Sequence, residues 1–137
     1  MRVLALDYGR ARCGCAVSDP SGTIVTPIEP VLRAGTRAGI GALAALCEEQ
    51  AVGRVVVGLP LSLRGADTAQ TSETREFAAR LARRLPIPVE LHDERFTTKL
   101  AQRDIDARAS EDSRAAAHLL EAWLAVVSPE QALRREP

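Results

Sequence analysis

Apolar residues open the chain as short unbroken runs and later recur at helical spacing. Residues 2–7, RVLALD, are apolar at successive positions, which predicts a central strand covered on both faces. YGRAR (8–12) reads as a turn in which Gly9 is free to take a positive φ, and CGCAVSD (13–19) as a second strand of small residues. DPSG (19–22) carries Pro and Gly at the second and fourth places of a type I turn. TIVTPI (23–28) is a third strand, and Pro27 within it assigns that strand to a sheet edge. Two tight turns joining three strands imply an antiparallel meander.

The period then changes. TRAGIGALAALCEEQAV (36–52) places Ile40, Leu43 and Leu46 at spacing three, with Cys47 alongside, and predicts a helix. RVVVGLPL (54–61) is the continuous apolar run expected of a buried parallel strand, and SLRGADTAQTS (62–72) a polar loop. A helix over about 70–85 sets Phe77, Leu81 and Leu85 on one stripe. PIPVELHDE (86–94) is a fifth strand, Thr97 or Thr98 caps a following helix, and a last helix runs from Asp112 to Val127. The order βββαβαβαα and right-handed crossovers predict a mixed five-stranded sheet, order 3-2-1-4-5, with helices on both faces. No repeat or linker interrupts residues 1–137, so one α/β domain is expected.

Composition narrows the function classes. With 46% apolar and 26% charged residues, the chain has the profile of an ordinary globular protein. No apolar stretch approaches a membrane span and no export signal is visible, so a cytoplasmic protein without membrane partners is expected. Lys and Arg together number 18 and so do Asp and Glu, leaving no net charge. Any surface for nucleic acid is therefore local rather than global. Three cysteines cannot all pair. Cys13 and Cys15 share a strand face and Cys47 a helix; all three read as small buried apolar residues, since no second Cys/His cluster accompanies them.

Asp7 is the anomaly, a carboxylate ending an apolar strand with a glycine two residues on. Ligands in such sheets gather at the carboxyl ends of the parallel strands, and strand five ends there in HDER (92–95). On the last helix the apolar stripe is Ala115, Ala116, Leu119, Leu120 and Trp123, and Asp112 heads it. Three carboxylates brought together cannot all remain ionised without a cation, and Mg²⁺ or Mn²⁺ suits oxygen ligands. Paired ions of this kind serve phosphodiester hydrolysis. Strand alternation leaves open whether Asp93 or Glu94 supplies the second acid.

Four stretches, DYGRARCGCAVSD, VVVGLPLSLRG, DERFTT and EDSRAAAHLLEAWL, resemble in order the YqgF/RuvX family of Holliday-junction-resolvase-like proteins, also described as nucleases of the 16S ribosomal RNA precursor. The resemblance covers residues 2 to about 127. It implies a ribonuclease-H-like fold, and Asp7, Glu94 and Asp112 as the metal-binding catalytic acids. It also implies a nucleic-acid substrate, RNA or branched DNA, encountered in ribosomal precursor particles or at junctions, by a monomer or homodimer. Where the family carries a longer basic segment before the last aspartate, this sequence has DARASEDSRAA (106–116), either a true shortening or a stretch absent from the sequence as given; loss of the segment would weaken substrate binding.

Arg10, Arg12 and Arg95 are candidate phosphate contacts beside the acids, with a solvated hairpin tip for the first two and a pair with Asp93 for the third as the alternatives. Two other functions fit parts of the pattern. A non-catalytic module docking on ribosomal or transcription machinery suits the neutral charge. An actin-like ATPase suits Asp7-Tyr8-Gly9, but the second phosphate hairpin it needs is missing.

Overall fold

In the computed structural model, residues 1–96 and 109–127 are described. Strands β1 (Arg2–Asp7), β2 (Arg12–Ser18) and β3 (Val25–Leu32) precede helix α1 (Arg37–Glu49). Strand β4 (Val52–Leu59), helix α2 (Ala69–Arg84) and strand β5 (Val89–Asp93) follow, then a 3₁₀ turn over Glu94–Phe96 and helix α3 (Glu111–Val126). The sheet order is β3-β2-β1-β4-β5. β1 pairs antiparallel with β2 and parallel with β4, β2 antiparallel with β3, and β4 parallel with β5. This is the mixed sheet expected from the hydrophobic pattern.

Alternation along the strands sorts side chains between two cores. Leu4 and Leu6, Cys13, Cys15 and Val17, and Val55 and Val57 face Ile40, Leu43 and Cys47 of α1 and Phe77, Ala78 and Leu81 of α2. Val3, Ala5, Ala16 and Val56 face Ala116, Ala117, Leu119, Leu120 and Trp123 of α3. Each large aliphatic side chain sealed in this way contributes about 1.5–3 kcal/mol by leaving water. The first turns of that α3 face carry the small Ser113, Ala116 and Ala117, and the Asp112 backbone lies directly against Gly14 of β2. All three cysteines are buried and free, as their spacing suggested.

Several boundaries differ from the sequence reading for local reasons. β3 continues to Leu32 rather than ending at residue 28, because an edge strand tolerates both Pro27 and Pro30. β4 starts at Val52 and stops at Leu59, before Pro60. β5 is confined to Val89–Asp93, and Glu94 already lies in the 3₁₀ turn. α1 ends at Glu49, with Ala51 in the left-handed region at φ 54°. Thr68 starts α2 with a reciprocal capping box to Thr71, and Ser110 starts α3 by accepting from the Ser113 N–H at 3.1 Å. On α3, Ala116, Leu119, Leu120 and Trp123 are buried as expected, while Ala117 is buried in place of the half-buried Ala115.

Gly9 does not take the positive φ expected of it; the residues that do are Gly22 and Gly65 among the described glycines. Its requirement is steric, since a Cβ there would come within 2.7 Å of the Arg12 carbonyl. The turn at 19–22 forms as expected, with the Gly22 N–H on the Asp19 carbonyl at 3.0 Å. Thr97, Thr98 and the helix expected after them lie outside the described residues. No described helix is long and apolar enough to cross a membrane.

Candidate active site

β1, β4 and β5 run parallel, so Asp7, Leu59 and Asp93 end at the same edge of the sheet, where Leu59 is paired with Asp93. Val3 and Ala5 face α3, and alternation carries Asp7 to that same face. On β5 the face is marked by Glu90, which accepts from the Trp123 indole of α3 at 3.2 Å and from Arg54 at 2.8 Å. Glu94, four residues on, returns to this face through the 3₁₀ turn and rests beside Gly58 and Leu119. Of the two acids of HDER, the structure brings Glu94 to the edge where Asp7 stands. Glu94 lies with Asp7, whereas Asp93 is engaged by Arg95, whose Nη2 donates at 2.6 Å, whose Nε donates at 2.9 Å and whose backbone N–H donates at 2.9 Å.

Asp7 and Glu94 share a hydrogen bond, and their electrostatics follow from it. Burial, with the Asp7 charge and the hydrogen bond to Asp7 adding to it, pushes the Glu94 carboxyl up to about 7. Burial also raises Asp7; the bond from Glu94 opposes that rise and the charge on Asp112 adds to it. A carboxyl at about 7 keeps its proton in mildly acidic solution and releases it through neutrality, beside the buried Asp7. Asp112 reaches the edge from the first turn of α3, where the helix dipole favours a carboxylate. Its Oδ2 is 4.0 Å from Arg12 Nη1, and its side chain remains 39% exposed.

Among the described residues, no three His, Cys, Asp or Glu side chains already stand close enough to cage a metal ion. The donor chemistry nevertheless fits a hard divalent cation. Two carboxyl groups brought together, with a third carboxylate near enough to raise one of them, form an all-oxygen set whose proton a cation can replace. Two of the thiols are held protonated: hydrogen bonding with Cys15 and burial hold Cys13 far up, and burial raises Cys47 to about 11, while the bond with Cys13 lowers the buried Cys15.

The three arginines differ in availability. Arg10 is tied to Glu73 of α2, its Nε donating at 3.1 Å. Arg95 spans Asp93 and the Leu63 carbonyl, the latter at 3.3 Å. Arg12, 64% exposed, faces the Asp112 carboxylate at 4.0 Å among the described residues.

The RuvX family model, described as Holliday junction resolvase, matches residues 1–126. The chain belongs to the RuvX family. A protein of Maridesulfovibrio salexigens, named as a candidate pre-16S rRNA nuclease, is 38% identical over 133 residues, covering 91% of this chain and 98% of its own length. A similarly named protein of Clavibacter michiganensis is 42% identical over 135 residues, covering 97% of this chain and 83% of its own. Among solved structures, Thermus thermophilus RuvC superposes with a TM-score of 0.63 at 15% identity, over 99% of this chain and 98% of that one. The same protein in complex with a Holliday junction substrate gives 0.60 at 16%, over 94% and 97%. These superpositions identify the ribonuclease-H-like fold, in agreement with the strand order of this RuvX-family sheet.

Two residues at this edge escaped the sequence reading. A Cβ on Gly58 would lie 2.6 Å from Glu94 Oε1, so the glycine provides the room that carboxyl occupies. Its signal was a glycine interrupting an otherwise β-branched run, which marks a close approach. Gly14 does the same for α3, because a Cβ there would run into the Asp112 carbonyl.

Proposed function

We propose that this RuvX-family chain is a nuclease that hydrolyses phosphodiester bonds with Mg²⁺ or Mn²⁺ held by Asp7, Glu94 and Asp112, acting as one domain over residues 1–137. The observation that carries the reading is the Asp7–Glu94 pair, two largely buried carboxyl groups brought together where β1 and β4 end, with the Asp112 charge beside them. Isolated buried acids of this kind cost stability; a bound cation relieves them.

Asp7, coupled to both of the other acids, would be among the residues that hold the cation. Glu94 would release its proton to solvent on loading, so that both oxygens of its carboxylate become donors. Asp112, on the exposed side, would complete the set next to the substrate. A bound divalent ion supplies charge neutralisation for the phosphodiester and activation of the attacking water. Arg12 would then leave Asp112 for a phosphate oxygen, since its partner's charge would be taken up by the cation.

For the substrate we infer a structured nucleic acid: the names of the relatives favour precursor 16S ribosomal RNA within precursor particles, and the family description favours branched DNA. The test is cleavage of a 5′-extended 16S precursor RNA and of a four-way DNA junction, with Mn²⁺ and with chelator, by wild type and Asp7→Asn. The expected result is metal-dependent cleavage of one substrate, lost by at least 100-fold in the variant. Equal turnover by both proteins would contradict the reading, and binding without turnover by wild type would replace it with the binding-module function.

A further inference from the structure

The β2–β3 ladder is interrupted beside the candidate site. Cys13 pairs with Val31 and Cys15 with Ile28, so Glu29 and Pro30 together oppose the single residue Gly14. Such a bulge takes backbone groups out of the ladder, and buried groups left unpaired are costly. Here one side chain occupies the gap. The Ser113 hydroxyl accepts from the Cys15 N–H at 3.3 Å and donates to the Ile28 carbonyl at 2.5 Å. Ser113 is 0% exposed. It follows Asp112 directly in α3, and the Asp112 carbonyl occupies the space that a Cβ on Gly14 would fill.

We propose that Ser113 is a positioning residue for metal binding: its hydroxyl, plugged into the β-bulge, locks the first turn of α3 onto β2 and so fixes where the Asp112 carboxylate sits. The inference rests on the reading of Asp112 as a cation ligand. The physical need is plain. A first helical turn has no intrahelical partners for its leading N–H groups and is the part of a helix most ready to fray. Ser110 caps this turn from within the helix, at 3.1 Å, but that bond does not tie the helix to the sheet. The two bonds of Ser113 do, at the residue next to the acid. A turn that rocks by an ångström would spread the carboxylate over positions of which few complete the cation's shell.

Calorimetry of Mn²⁺ binding to the intact protein separates positioning from mere stability, and needs no turnover. Ser113→Ala is expected to weaken Mn²⁺ binding by roughly 10-fold or more, the scale typical of groups that orient metal ligands. Ile40→Val, in the core on the opposite face, is the control: it is expected to lower Tm while leaving Mn²⁺ affinity unchanged. In an Asp112→Asn background, Ser113→Ala should weaken binding no further. Should Ser113→Ala not fold, Ser113→Cys keeps the volume with a poorer hydrogen-bonding atom and is expected to move affinity in the same direction. Wild-type affinity in the folded Ser113 variants, or an equal further loss in the Asp112→Asn background, would overturn the proposal. If Asp112→Asn itself binds Mn²⁺ as tightly as wild type, the site reading fails first and this inference with it.

Discussion

Glu94 rests against the bare α-carbon of Gly58: a methyl group at that glycine would come within 2.6 Å of Oε1 and 3.1 Å of the Leu119 side chain. The two residues belong to the neighbouring strand β4 and to the turn after β5, so the carboxyl is seated on a neighbour rather than on its own strand. Gly58→Ala should therefore displace the flexible Glu94 side chain before it displaces β4. The expected outcome is a stability loss of about 1–3 kcal/mol, as for modest overpacking, together with a fall in kcat of roughly 10-fold or more. Thermal melting and single-turnover cleavage measure the two effects. Unchanged kcat would mean that Glu94 is not held there for chemistry.

The proton on Glu94 makes stability depend on pH in a defined direction. Its carboxyl sits at about 7 in the folded chain and near its ordinary value of 4.5 when unfolded. Between those values the folded state binds more proton, so the contribution is whole below about pH 4.5 and is lost as pH rises through 7. Allowing for solvent screening of a half-buried group, the loss is on the order of 1–2 kcal/mol. Metal-free protein should melt lower at pH 8 than at pH 5 through this group, and Glu94→Gln should flatten that part of the profile. Mn²⁺ should raise Tm more at pH 8, where the cation no longer competes with the proton.

Phosphate contact is distinguishable from internal pairing by salt. Each arginine that neutralises a phosphate adds about one to the slope of log K against log salt. Arg12→Ala should lower that slope by about one for the bound nucleic acid. Arg10→Ala and Arg95→Ala should leave it unchanged, because their guanidinium groups are engaged by Glu73 and by Asp93. A filter-binding series in KCl with Asp7→Asn protein, which should not cleave, reads this directly.

Asp93 and Glu94 should part company under substitution. Glu94→Gln is expected to reduce cleavage by at least 100-fold, on the order of 3 kcal/mol of barrier. Asp93→Asn should cost less than 10-fold, since it weakens the Arg95 bonds that shape the turn without touching the edge where Asp7 lies.

Much of this arrangement was legible in the sequence because it follows from period and handedness. An apolar run ending in Asp7 can only be a strand delivering a charge to a sheet edge, and the crossovers leave few orders for five strands. The end of β5 was not legible, since alternation stops meaning anything once the chain enters a 3₁₀ turn at Glu94. Packing partners were hidden for a related reason. Nothing in VVVGLPL says what approaches Gly58, and nothing in CGC says that Gly14 opposes two residues of β3. The stripe of α3 was legible except for one alanine, since alanines at 115, 116 and 117 give the helical pattern no contrast at its start. Arg10 showed no partner in sequence because Glu73 lies in α2, far along the chain; for Arg95 the pair with Asp93 was open to view, and only its bond to the Leu63 carbonyl was hidden.

The central claim is that Asp7, Glu94 and Asp112 share a divalent cation. Crystals grown with Mn²⁺ near pH 8 and measured at the manganese absorption edge test it most directly. The account predicts an anomalous peak within about 2.0–2.3 Å of carboxylate oxygens from Asp7 and Glu94, with Asp112 completing the shell directly or through one water. A peak elsewhere, or no peak beside Asp7 and Glu94 in crystals saturated with Mn²⁺, would contradict it.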